Sequence, residues 1–147
     1  MRDIEFRGFN QCTKTWSYAG LKYIIEEQVY NPIEYFQVDP NTITQSIGKK
    51  DRNGKDIFEG DIVKVHPNYE GLDEKVGLIE YNKDCALYRI GTEYWAYLAA
   101  SFSPFQLEVI GNIFENPELV SWRNNKNDER LAKKAAKSIL RIVNGGL

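Results

Sequence analysis

Two carboxylates flanking a glycine are the first residues in this sequence with the types and spacing for chemistry. Glu59 and Asp61 stand on either side of Gly60, and paired carboxylates can divide acid and base roles between them. Such residues more often accept nearby backbone N–H groups and set a turn. Glu59, Gly60 and Asp61 are read here in that second way. His66, the single histidine, precedes Pro67 at a strand end. No serine or cysteine lies in a recognisable nucleophile turn for it to activate, so it reads as a surface or loop residue. Asp51 to Asp56 echoes a calcium loop, but Gly54 takes the fourth place and Lys55 the fifth, where a ligand belongs. An exposed hairpin is the simpler reading. Cys12 and Cys85 lie far apart without metal spacing and read as free thiols. Gly145-Gly146 precedes nothing and cannot form a phosphate-cradling loop. These readings give no catalytic residues, no metal and no cofactor, and lead to the expectation of a chain that is not an enzyme.

Binding is the stronger theme. Residues 1–120 hold 12 Lys and Arg against 19 Asp and Glu, a balance of −7, while residues 121–147 hold 7 against 2, a balance of +5. An acidic body thus carries a basic tail. Within that tail Leu131, Ala135, Ile139 and Ile142 fall on one helical stripe, and Arg130, Lys133, Lys134, Lys137 and Arg141 gather opposite it. Such a helix suits an acidic protein partner, including another copy of this chain or its own body. Nucleic acid is the alternative partner, because clustered basic residues neutralise phosphates. The acidic body opposes that reading, and a membrane surface is not expected as a partner. Tyr94 and Tyr97, in the alternating run Tyr94-Trp95-Ala96-Tyr97, are candidates for an exposed stacking or contact face.

The elements that must position these groups are short and mostly extended. The chain has 147 residues, 42% of them hydrophobic, enough for one domain with a core. Aromatic residues make up 13%, which favours pleated strands. Strands are expected at Ile4–Phe9, Thr15–Tyr18, Tyr35–Val38, Ile62–Val65, Val76–Tyr81, Leu87–Ile90, Tyr94–Leu98 and Leu107–Phe114. Leu21–Val29 fits either a strand or a short helix, and Asn31-Pro32 breaks whichever it is. Asn53-Gly54 suits a type I′ hairpin turn, with Lys49, Lys50, Asp51 and Arg52 keeping that loop solvated. Gly77 marks a bulge or a close backbone approach within its strand. Asn127 caps the tail helix and Asn144-Gly145-Gly146 stops it.

Three segments carry a resemblance to a known family. They are Ile4-Glu5-Phe6-Arg7-Gly8-Phe9, then Gly48 with Lys50 to Lys55 and Ile57 to Val63, then Val109 to Leu119. In order and spacing they resemble the YopX family, small proteins encoded mainly in bacteriophages and prophages of Gram-positive bacteria. The resemblance implies a mostly β pseudo-barrel and supplies no catalytic residues. It departs from the family pattern at Phe9-Asn10, Ile47 and Lys49, and the basic tail lies outside it. The expectation is therefore a mainly β (α+β) protein, with a small pseudo-barrel of short strands over residues 1–120. A basic amphipathic helix over residues 121–147 completes it. The chain is expected to be cytoplasmic in a bacterial host and to bind protein, either itself or a host or phage protein.

Overall fold

The structure is a computed structural model, and it describes residues 3–68, 74–94 and 96–123. β1 (Glu5–Asn10) and β2 (Thr15–Gly20) pair antiparallel, with Glu5 opposite Gly20 and Asn10 opposite Thr15. The Asn10 side chain turns the chain between them by accepting the N–H groups of Cys12 and Thr13 at 2.9 and 3.0 Å.

β2 runs directly into α1 (Leu21–Glu26), so the segment open to two readings is a helix. α2 (Pro32–Phe36) follows at once. The strand expected at Tyr35–Val38 is therefore a correction: Tyr35 and Phe36 close a helix, and Gln37 stops it in the left-handed region at φ 51°. The cause lies upstream. Asn31 accepts the Glu34 N–H, and Pro32 takes the first helical turn, where its missing N–H leaves no bond unmade. The expected breaker is a helix start.

A 3-10 turn at Pro40–Thr42 leads into β3 (Thr44–Lys50), which pairs with β1 on one edge and β4 (Asp56–Phe58) on the other. The first sheet has the order β2-β1-β3-β4. The second contains β5 (Asp61–Val65), β6 (Lys75–Asn82), β7 (Leu87–Gly91), β8 (Ala96–Leu98) and β9 (Leu107–Asn112) in the order β8-β7-β6-β5-β9. All pairs are antiparallel. The mainly β class holds, as two open sheets forming a half-barrel.

The β3–β4 hairpin differs from expectation in two ways. Gly54 has φ 79° while Asn53 does not enter the positive region, so the turn is not type I′. It is held from within by Asp51, which is 3% exposed rather than solvated. One Asp51 oxygen accepts the Asn53 and Lys55 N–H groups, both at 2.9 Å, and the other accepts Val109 N–H at 3.0 Å. Lys49 is also drawn inward, donating to the carbonyls of Ala99, at 3.1 Å, and Phe102.

The two faces of the second sheet hold separate clusters. Val63, Ile79, Ile90 and Leu107 face inward with Ile57. Ile62 and Leu78 face the other way, under Val120 and Trp122. Each fully buried aliphatic side chain contributes about 1.5–3 kcal/mol. Gly77 is a close approach rather than a bulge, since its register with Val63 is regular and a Cβ there would meet Ile90 Cγ2 at 2.3 Å. The expected tail helix, from Asn127 through Arg130, Lys133, Lys134, Lys137 and Arg141, lies outside the described residues, as does Trp95.

Candidate functional site

The corner that joins the sheets is Phe58-Glu59-Gly60-Asp61. Gly60, at φ 84°, donates its N–H to Ile79 O and accepts Ile113 N–H at its carbonyl. Glu59 is half-buried and donates its backbone N–H to Gln45 O. Asp61 accepts Phe58 N–H at 2.8 Å, the turn-setting role its spacing predicts. Its other oxygen lies 2.7 Å from an Arg7 guanidinium nitrogen, and both side chains are sealed from solvent.

Arg7 is the residue that the sequence reading missed. Strand alternation in β1 marks it as an ordinary polar position, but it points inward between the sheets. Its guanidinium carbon sits 4.4 Å from the Trp16 ring centroid and 4.7 Å from that of Phe58, and its Nε donates to Thr44 Oγ1 at 3.2 Å. Burial pushes the Asp61 carboxyl above its ordinary value, against the opposing pull of Arg7 and the Phe58 N–H. Trp16, backed by Phe9, and Phe58 supply the ring faces on which this cation is stabilised.

A third segment closes this centre. Trp16 Nε1 donates to Glu115 Oε2 at 3.0 Å, and Asn112 Nδ2 donates to the same oxygen at 2.5 Å. These two donors hold the Glu115 carboxyl below its usual range. Asp61 is 1% exposed with both oxygens engaged, whereas Glu115 lies at the surface, so the group ties the sheets together and keeps one of its two carboxylates accessible.

The other sequence candidates are scattered. Asn53 and Gly54 lie at the exposed tip of the hairpin. Tyr94 is 76% exposed. Tyr97 packs on Phe102 with ring centroids 5.9 Å apart and accepts a hydrogen bond from Lys75 Nζ at 3.1 Å. His66 stands just past β5 as a partly exposed loop residue, with Nδ1 2.9 Å from Glu74 Oε1 and Nε2 2.7 Å from Glu108 Oε2. Cys12 and Cys85 are exposed and unpaired.

The YopX family profile matches residues 5–121. This chain belongs to the YopX family. Of the three segments that carry the resemblance, two supply the Arg7–Asp61 ion pair between the sheets and the third supplies Glu115, which accepts from Trp16. Among solved structures, protein EF1440 from Enterococcus faecalis is similar over 80% of this YopX-family chain and 98% of its own, at 22% identity and a TM-score of 0.42. None of the curated proteins compared with it matches. Among the described residues, no helix is long and apolar enough to cross a membrane.

One surface of the molecule is built unlike the rest. α1 and α2 lie over the outer face of the first sheet, where Val38 fills the space above Gly8. Neither helix contains a buried residue. Ile25 is 65% exposed, Tyr35 61% and Tyr30, in the link between the helices, 93%. Beneath them an apolar pocket of about 320 Å³ is lined by Phe6, Ala19, Ile24, Ile33, Phe36 and Val38.

Proposed function

We propose that this YopX-family chain is a protein-binding module that acts by contact rather than by catalysis, and that its partner is a second copy of itself. Its contact surface is the α1–α2 face. One observation carries this reading: two adjoining helices present Leu21, Tyr23, Ile25, Ile33 and Tyr35 at 39–65% exposure, and none of their residues is fully buried, Ile24 and Phe36 being only half-buried. A helix layer so constructed lacks the covering that apolar side chains obtain in a finished core. A phage- or prophage-encoded accessory acting in the host cytoplasm is the biological setting in keeping with this proposal.

The test is solution mass. Light scattering of the full chain over a concentration series should give a dimer or larger species, and the I25E/Y35E variant should be monomeric with an unchanged circular dichroism spectrum and an unfolding midpoint that no longer depends on concentration. A wild-type chain that stays monomeric at every concentration would sink the proposal.

A further inference from the structure

We infer that the α1–α2 face receives the C-terminal segment, residues 124–147, of a second copy of this chain. This rests on the self-association proposed above and names the segment that carries it.

The two surfaces match in charge and in apolar pattern. Residues 21–39 hold Glu26, Glu27, Glu34 and Asp39 against a single base, Lys22. Of the four acids only Glu26 is ion-paired among the described residues, with Lys22 at 3.7 Å on an open surface. Residues 21–39 therefore combine exposed apolar side chains, Ile25, Ile33 and Tyr35, with three acids that have no ion pair among the described residues. Residues 124–147 hold six bases against Asp128 and Glu129, a balance of +4. Their sequence sets Leu131, Ala135, Ile139 and Ile142 along one helical stripe with Lys133, Lys134 and Lys137 beside it. An apolar stripe with a basic flank fits exposed apolar side chains accompanied by acids.

Topology indicates which copy supplies the segment. Along β5, Asp61 and Val63 point inward toward Arg7 and the main cluster, while Ile62 points outward. Trp122 packs with Ile62 and Leu78 on that outward face, and Arg123 pairs with Glu80 at 3.1 Å. The segment therefore leaves from the outer face of the second sheet. In the first sheet Arg7 points inward, whereas Phe6 and Gly8 point outward beneath α1 and α2. The point of departure and the receiving face are thus on opposite outer layers, with both sheets between them.

Packed sheets are about 10 Å apart, and the helix layer adds a similar distance. The 24 residues from 124 to 147, wound as the helix their periodicity predicts, span about 36 Å. Reaching the groove of its own domain would take the segment round a sheet edge, a path longer than the roughly 20 Å straight through the layers. A neighbouring copy can present the segment directly, and mutual exchange about a two-fold axis closes the assembly as a dimer.

A charge-swap experiment with full-length chains tests this. One variant reverses the segment (K133E/K134E/K137E), and the other reverses the face (E26K/E27K/E34K). Circular dichroism checks the fold of both. At about 50 mM salt, where exposed charges are weakly screened, each variant alone should associate roughly tenfold or more weakly than wild type. An equimolar mixture should recover a species of dimer mass, because each copy's segment then faces opposite charge on the other. Variants that associate as strongly as wild type, or a mixture that fails to recover, would overturn the inference. If I25E/Y35E still dissociates the protein in that event, the contact face stands and only its occupant is wrong.

Discussion

Arg7 and Asp61 meet at 2.7 Å between the two sheets, one side chain 3% and the other 1% exposed. One belongs to β1 and the other to β5, so the pair joins sheets that share no strand. Two charges removed from water need compensation. Here it comes from the Phe58 N–H on Asp61, from Thr44 on Arg7, and from the Trp16 and Phe58 rings against the guanidinium.

Breaking the pair from one side leaves a charge buried without its counterion. Arg7→Met is expected to cost about 3–5 kcal/mol, read as a lowered urea midpoint. Arg7→Met with Asp61→Leu should cost less than the sum of the single changes. Strict additivity in that cycle would show that the two side chains are not coupled.

The positions of many strands were legible because they follow short-range patterns: the short apolar runs of β5 to β7 and the turn at Glu59-Gly60-Asp61. Arg7 and Asp51 were not legible. Both are polar residues at positions that alternation or loop composition assigns to solvent. Both are buried because groups remote in sequence satisfy them, Asp61 in one case and the Val109 N–H in the other. Tyr35–Val38 failed for a local reason, since a cap at Asn31 and a proline at the first helical turn outweighed β propensity. The α1–α2 face could not be read from sequence because exposure depends on what fails to pack over it.

Asp51 and Asp61 should move stability with pH in opposite directions. Burial acts to raise Asp51, but the N–H groups of Val109, Lys55 and Asn53 outweigh it and hold the carboxyl below its ordinary value. Its stabilisation is therefore present above the unfolded-state value and lost as pH falls through the folded one. Asp61 is raised by burial, so the unfolded chain releases that proton first and stability declines as pH climbs between the two values. Urea midpoints from about pH 2.5 to 6 should show a shallower acid-side loss in Asp51→Asn than in wild type. An Asp51→Asn curve parallel to wild type throughout would contradict this assignment. At neutral pH that variant should also lose about 1–3 kcal/mol, since an amide cannot accept all three N–H groups as the carboxylate does.

Gly77 is fixed by its neighbour across the sheet. A Cβ would stand 2.3 Å from Ile90 Cγ2 and 3.2 Å from the Gly91 carbonyl. Gly77→Ala should cost about 1–3 kcal/mol through overpacking. Ile90→Ala removes the nearest clashing atom, so the double variant should be more stable than the sum of its single changes predicts. Thermal midpoints of the four proteins decide the matter, and simple addition would mean that β6 shifts away rather than pressing on Ile90.

Tyr94 and Tyr97, both candidates for a contact face from the sequence, separate into an exposed aromatic and an engaged one. Tyr97 is held by Phe102 edge-on and by the Lys75 ammonium, which lies 5.6 Å from the ring centroid and donates to its hydroxyl. Tyr94 is mostly exposed. Tyr97→Ala should therefore lower stability by about 1–2 kcal/mol, while Tyr94→Ala stays within about 0.5 kcal/mol of wild type. A stacking platform for single-stranded nucleic acid needs free ring faces and gains about 1–3 kcal/mol per stacked base. On this geometry Tyr97 would have to give up Phe102 and Lys75 to serve as one. Titration with a labelled oligothymidine at low salt should therefore give the same weak affinity for wild type and Tyr97→Ala. A tenfold loss on Tyr97→Ala would show that the ring leaves its packed position to bind, and would restore the nucleic-acid reading of this strand.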